Sequence, residues 1–360
     1  MLVHICCSVD SHFFLEKLKK DFPNEKLIGF FYDPNIHPYS EYKLRLLDVK
    51  RSCEKLGIEL IEGEYDFENW LKAVEGLEKE PEKGKRCEIC FDKRLKVAAR
   101  KAKELGEKRY TTTLLVSPLK SQEQLKNSAK EIDKELDTKF IFVDYRSGGG
   151  SQEQSRVTKE QKLYRQDYCG CLFGLMNQRE EQNIFMDEMI NPINNQILPA
   201  SIEERLKIYE ERIKLEEKNI EYKIIRQKFL NYRLLRAFVK EDKNVIPSYF
   251  LYYSTSKRDY IRGKIDFELS NVYYLNREEV RFIELKFFNE LSGLNFKSVK
   301  EMIFSDFDVK HEIEVRKHLS FEDYDTSAII VVDKIPTKKI EIYLKYKLYN
   351  DVRENLVTLR

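Results

Sequence analysis

Six of the seven cysteines in this chain come in close pairs: Cys6-Cys7 in "HICCSVD", Cys87-x-x-Cys90 in "GKRCEICFDKRL" and Cys169-x-Cys171 in "YRQDYCGC". Thiols spaced this way point to metal ligation, and soft thiolates select zinc or iron–sulfur clusters. Cys87 and Cys90 fall at the expected entry to a helix. There, i and i+3 side chains share a face and free backbone N–H groups stabilise a thiolate. A zinc site or a [4Fe–4S] cube takes about four protein ligands, so six paired thiols exceed one site. Either two of them do something other than hold a cluster, or a second metal sits beside it. Asp10 is either a hard oxygen ligand for a lone iron or the N-cap of the helix that follows. Cys53 has no neighbouring thiol and is expected to pack in the core.

The elements that must position these groups alternate in type. "LVHIC", "KLIGFFYDP", "IELIEG", "RYTTTLLVSP" and "FIFVDY" have the composition of short buried strands. "HFFLEKLKKDF", "YSEYKLRLLDVKRSCEKLG", "FENWLKAVEGLE", "CFDKRLKVAARKAKELG" and a segment from about Ser121 to Leu136 have helical spacing. Such alternation predicts a parallel Rossmann-like α/β sheet covered on both faces, with ligands beyond the carboxyl ends of its strands. The segments that follow the expected strands are the ones rich in thiols, aromatics and polar groups. "RSGGGS" (146–151) is expected to be a flexible loop near the site. A nucleotide-binding phosphate loop would instead follow the first strand, where Cys6-Cys7 stand.

The bulk properties set limits. A hydrophobic fraction of 42% supports real cores, and the length suits two domains. Lys+Arg 64 against Asp+Glu 62 leaves the chain near neutrality, so nucleic-acid contact requires a local basic patch. The start has no basic n-region and no apolar run approaches a membrane span, which predicts a soluble, cytoplasmic protein with reduced thiols and no membrane partner. All seven cysteines lie in the first half. The Asn- and Gln-rich stretch 179–200 is expected to be a junction between a catalytic domain, 1–178, and an accessory α+β domain, 201–360, with an antiparallel sheet. In the latter, "KIIRQKFLNYRLLRAF" interleaves basic and aromatic residues, as either an RNA-gripping surface or ordinary packing.

"HICC", "FFYDPNIHPYSEYKLR", "IEGEYDFENWLKAV", "EKGKRCEICFDKRL", "YTTTLLVSP" and "LYRQDYCGCLFG" together resemble the epoxyqueuosine reductases of the QueH type, over about residues 1–175. The resemblance implies a sheet related to the adenine-nucleotide α-hydrolase group. It also implies cobalamin-independent removal of the epoxide oxygen from epoxyqueuosine at the wobble position of a GUN-anticodon tRNA, with an external electron donor. A [4Fe–4S] cluster with an adjacent mononuclear iron is implied as well, which accommodates Cys6, Cys7, Asp10, Cys87, Cys90, Cys169 and Cys171 as metal ligands, undivided between the two sites. Many members carry a third cysteine where this chain has Asp10.

For a tRNA substrate, the loop "YDPNIHPYSEY" offers Tyr32 and Tyr39 as stacking faces, and Asn35 and His37 as edge hydrogen-bonding groups. His37 and Asp10 are the candidate catalytic residues. Arg86 and Arg165 either hold a phosphate, tune the cluster or form surface ion pairs. Thr112 and Ser117, closing the fourth strand, are further substrate candidates. Two rival readings keep the same cysteines: a cluster-dependent tRNA thiolation enzyme, and a zinc-stabilised RNA-binding module.

Overall fold

The structure, a computed structural model, describes residues 1–118, 120–276, 280–322 and 324–359. The chain divides into two compact units. One is Met1–Met186 with Arg205–Tyr222 and the chain end from Thr358; the other is Asp187–Glu204 with Lys223–Val357. Among the described residues no helix is long and apolar enough to cross a membrane.

The first unit is built on a parallel sheet of order β3-β2-β1-β4-β5: β1 (Leu2–Ile5), β2 (Ile28–Phe31), β3 (Glu59–Glu62), β4 (Arg109–Thr112) and β5 (Lys139–Phe140). Every residue of β1 and β2 is buried, as a sheet with both faces covered requires. Helix α1 (Ser8–Asp21) packs on α2 (Tyr39–Leu56) and α6 (Gly150–Glu160), while α4 (Lys85–Glu104) packs on α5 (Gln122–Leu136). The short α3 (Phe67–Ala73) precedes α4, and α7 (Leu172–Glu181) follows the last thiol pair. Two expected strands are shorter than their apolar runs. After Thr112 the chain turns into a 3-10 helix, because the Thr112 hydroxyl accepts from the Leu114 amide and caps the turn. "FIFVDY" contributes only Lys139 and Phe140, at the sheet edge.

His4 fastens the middle of this sheet. Its Nε2–H donates to the Tyr32 carbonyl at 3.0 Å, and its Nδ1 accepts from Thr112 Oγ1 at 2.8 Å. Burial pushes the imidazole down to about 3, with Arg94 adding to the effect, so the ring is neutral and works as a tie between loops.

Helix α8 (Ile202–Glu217) was expected to open the accessory domain, yet from Arg205 onward it belongs to the first unit. Fully buried Arg212 bonds to fully buried Asp48 of α2, and Glu216 takes two bonds, of 2.7 and 2.8 Å, from Arg51. Charge pairing, invisible to a periodicity reading, overrides the solvated-helix appearance of "EERLKIYEERIKLEEK".

The second unit holds two sheets. The first has order β10-β11-β12-β13-β8 (Ile265–Leu269, Val272–Leu275, Arg281–Glu284, Ile329–Val332, Ser248–Phe250). The second has order β7-β6-β14-β9 (Asn244–Ile246, Tyr222–Glu241, Ile340–Thr358, Tyr260–Gly263). The expected antiparallel sheet needs a correction, because β12 and β13 run parallel. Their connection contains three helices, α9 (Leu285–Ser292), α10 (Val299–Phe304) and α11 (Val309–Leu319), long enough for the crossover a parallel pair demands. Ile329 and Val331 join the core built with these helices, while Ile330 and Val332 face the core shared with β6, β9 and β14.

The Glu216 contacts give an acid-sensitivity prediction. Burial works to raise its carboxyl, but bonds from Arg51 and Tyr222 outweigh this and hold it down at about 2, below the ordinary 4.5. A depressed carboxylate contributes stability that is present above pH 4.5 and lost as pH falls toward about 2. Chemical-denaturation midpoints measured across that window should drop more steeply for the wild-type chain than for Glu216→Gln; parallel profiles would contradict the assignment.

Candidate metal centre

Strand order reverses between β1 and β4, so the crevice beyond their carboxyl ends is where an open parallel sheet takes its ligand. The chain puts Cys6 and Cys7 there, directly after β1. Cys6 Sγ lies 3.8 Å from Cys7 Sγ, 3.5 Å from Asp10 Oδ2 and 3.5 Å from Thr113 Oγ1. The three donor atoms of Cys6, Cys7 and Asp10 lie within 4.8 Å of one another, and all three residues are buried. Asp10 is not the N-cap of α1: that position is Cys7, and Asp10 sits in the first turn with Oδ1 held by Gln154 Nε2 at 2.8 Å. Its other oxygen, Oδ2, thus points among the thiols. Burial raises the Asp10 carboxyl, and the Cys7 thiol is raised well above its usual range by its bond with Cys6, then by burial and the Asp10 charge. A divalent cation would relieve all of these at once.

The other four thiols stand nearby but less tightly, since among the described residues only the trio above brings three such donor atoms within 4.8 Å of one another. Cys87 and Cys90 lie one turn apart at the start of α4, with the Lys83 amide donating to Cys87 Sγ at 3.3 Å. Cys90, Cys169 and Cys171 pack together with Trp70 and Phe173. The Cys171 thiol bonds to Cys169, which drives Cys169 well below and Cys171 well above the normal range; Lys120 and Arg45 add to the lowering at Cys169. Three cations serve these sulfurs. Arg94, on α4, pairs with Asp33 and faces Cys90 and Cys6. Arg45, on α2, donates to the Cys169 carbonyl at 3.3 Å and the Tyr168 carbonyl at 3.0 Å, and is itself held by Glu41 at 2.7 Å. Burial opposes the charge on Lys120, but Cys169, Cys87, Cys90 and Glu82 around it keep it protonated above the ordinary lysine range. Soft donors, buried and surrounded by fixed positive charge, fit an anionic thiolate-ligated metal group.

A cavity of about 360 Å³ opens onto this centre. Of the residues singled out in the sequence, Cys6, Cys7, Asp10, Cys169, Ser117 and Arg165 line it. The loop 32–39 does not line it. Tyr32 is buried and donates to Asp66 at 3.2 Å, Asn35 is buried, and exposed Tyr39 stacks on Tyr42 and meets Tyr65 at a tilt. His37 packs its ring on Phe67 with centroids 4.9 Å apart, and burial lowers its pKa. Its backbone joins it to the last thiol turn: the His37 amide donates to the Gly170 carbonyl at 2.9 Å, and its carbonyl accepts from the Tyr168 hydroxyl at 2.7 Å. This segment braces the last thiol pair. Arg86 is buried and donates to the Leu77 and Glu78 carbonyls at 3.0 and 2.8 Å, and Thr112 bonds to His4 and the Leu114 amide.

Sequence reading missed Lys120, Gln154, Arg45 and Arg94. Arg94 was the accessible one, since it follows Cys87 and Cys90 by seven and four positions on one helix face. Gln154 carried no signal of its own. It is delivered by "RSGGGS", which is a fixed turn: Asp144 accepts from Ser147 and from the Arg146 amide, Arg146 holds the Ser117 and Lys120 carbonyls, and α6 starts at Gly150.

Gly170, between the last two thiols, has φ +99°, and a Cβ there would meet Ile36 Cγ1 at 2.8 Å and Arg45 Nη1 at 3.1 Å. Gly170→Ala should therefore cost about 1–3 kcal/mol of stability and displace the thiol turn. Thermal denaturation and thiol titration of the variant check this; a wild-type melting curve and thiol reactivity would refute it.

Comparison with known proteins agrees with this geometry. The family model described as epoxyqueuosine reductase QueH matches residues 1–177. The epoxyqueuosine reductase QueH of Helicobacter pylori is 40% identical over 359 residues, 96% of this chain and 97% of that protein. That of Thermotoga maritima is 37% identical over 184 residues, 50% of this chain but 93% of its own length. Among solved structures, the U34-tRNA thiolase NcsA from Methanococcus maripaludis with its [4Fe-4S] cluster matches 45% of this chain and 65% of its own, at 17% identity and a TM-score of 0.24, a likeness too slight to argue from. Identity at 40% across nearly the whole of both chains places this protein in the QueH family of epoxyqueuosine reductases.

Proposed function

We propose that the protein removes the epoxide oxygen of epoxyqueuosine at the wobble position of a GUN-anticodon tRNA, producing queuosine. The step turns the epoxide into an alkene and water and consumes two electrons, from an external donor, and two protons. Family membership supports the activity; the Cys6, Cys7 and Asp10 trio opening onto a cavity beside Cys169 is the observation that carries the chemistry.

We divide the donors by geometry and type. Cys87, Cys90, Cys169 and Cys171 would hold a [4Fe–4S] cluster; Cys6, Cys7 and the harder Asp10 would hold a mononuclear iron. When bound, such a pair supplies electrons one at a time and a Lewis acid for oxygen. The chain's own residues do the rest. Gln154 fixes the Asp10 carboxylate, so one oxygen stays turned to the thiols. Lys120 and Arg165 on the cavity wall offer positive charge to a developing oxyanion or a backbone phosphate, and Ser117 a hydroxyl. His37 acts through its backbone, as a brace. The N-terminal sheet is read as the adenine-nucleotide α-hydrolase type, with Cys6-Cys7 occupying the turn where a phosphate loop would lie. Reduced thiols in this number suit the cytoplasm.

Cys87→Ala and Cys169→Ala should lose the visible cluster absorbance and all turnover. Asp10→Ala should keep that absorbance but release about one iron per chain and lose turnover. Expression in cells lacking their own reductase, followed by tRNA nucleoside analysis, should show queuosine in place of epoxyqueuosine. Unchanged epoxyqueuosine with a colourless, zinc-loaded protein would favour a structural RNA-binding module instead.

A further inference from the structure

We infer that Arg212, on helix α8, is a positioning residue for the metal centre and acts through Asp48. The inference rests on the metal-binding reading above. Helix α8 lies past residue 177, where the family-model match ends.

Asp48 is fully buried on α2 and is the point where two thiol-bearing segments meet. One oxygen accepts from Ser8, the residue directly after Cys7, and from the Tyr164 amide at 2.7 Å, five positions before Cys169. The other oxygen bonds to Arg212, whose Nη1 also donates to the Lys162 carbonyl at 2.7 Å. Arg51 completes the clamp. It donates to the Gln161 carbonyl at 2.9 Å, stands 3.6 Å from Asp48 Oδ1 and is itself gripped by Glu216, four residues beyond Arg212. A second route starts at the same place: the Tyr164 hydroxyl donates to Glu41 at 2.8 Å, and Glu41 holds the Arg45 that binds the Cys169 carbonyl. Segment 161–164 is thus held by side chains at Gln161, Lys162 and Tyr164, and it runs straight into the Cys169–Cys171 turn.

The physical reason for Arg212 is charge. A carboxylate removed from water is retained only when paired. Arg51 approaches Asp48 but is committed to Glu216, so Arg212 supplies the direct counter-charge. With that charge in place, Asp48 can hold the Ser8 and Tyr164 ends at a fixed separation, and with them the Cys6-Cys7 and Cys169-Cys171 thiols. One helix encoded in the second half of the chain therefore finishes the interior of the first unit.

The test uses the full chain as wild type, Arg212→Met, Arg212→Lys and Asp48→Asn/Arg212→Met. Hydrogen exchange is measured on the metal-free proteins. Iron affinity and the electron paramagnetic resonance spectrum of the reduced centre are measured after anaerobic loading. Arg212→Met should speed exchange in 161–171 while leaving α4 and α5 unchanged. It should weaken iron binding about 10–100-fold, the usual cost of losing a partner behind the ligands, and alter the spectrum, with Arg212→Lys recovering part of each. The double variant leaves no lone buried charge, so it stays assessable if Arg212→Met fails to fold, and it should show the same losses. Wild-type iron affinity and spectrum in either folded methionine variant, or wild-type exchange in 161–171, would overturn the inference. A wild-type chain that takes up no iron would defeat the proposed function instead, and the exchange data would still decide whether Arg212 holds the segment.

Discussion

Buried thiols and a buried carboxylate share one crevice of the first unit, and any negative charge held there needs positive charge beside it. Three of its cations stand there: Arg94 between Asp33 and the Cys90 and Cys6 sulfurs, Arg45 on the Cys169 turn, Lys120 beside Cys87, Cys90 and Cys169. Arg94 is held in turn by Asp33 and Arg45 by Glu41, so the network reaches outward from the sulfurs to α2 and α4. Pairing of this kind adds little net stability compared with an apolar core, but breaking one member strands a charge. The thiols are consequently held by charge as well as by the apolar clusters they pack in.

Much of the frame was legible in the sequence, for reasons that are local. Short β-branched and aromatic runs such as "LVHI" and "IGFF" could only be buried strands, and helix spacing in α2 and α4 is strong. The thiol pairs were legible because the sheet topology puts the ends of its strands at one rim. What failed was anything set by partners distant in sequence. The loop 32–39 has the composition of a substrate loop; Tyr32 and Asn35 are buried, and the backbone of half-buried His37 bonds to the 168–171 turn, a partnership that composition does not reveal. Gln154 reaches Asp10 across 144 positions, and Arg212 reaches Asp48 across 164. No window along the chain contains such pairs.

Chain order and spatial order also part company after residue 186. The chain leaves the first unit, contributes Asp187–Glu204 to the second, returns as Arg205–Tyr222 and leaves again along β6. A cut at a single junction would split both units. The Thermotoga maritima relative is matched over 93% of its length by half of this chain, whereas the Helicobacter pylori relative is matched over 97% of its own. The extension is thus integral to the architecture of this chain, and the buried Asp48–Arg212 pair is where the two halves of the sequence depend on each other.

The account stands on iron held in two groups by the residues assigned to them. Anomalous diffraction at the iron absorption edge, from crystals of the anaerobically prepared protein, reads this directly. It should show compact density ringed by Cys87, Cys90, Cys169 and Cys171, and a separate single peak on Cys6, Cys7 and Asp10. Anomalous signal at the zinc edge alone, or iron density away from these sulfurs, would contradict it.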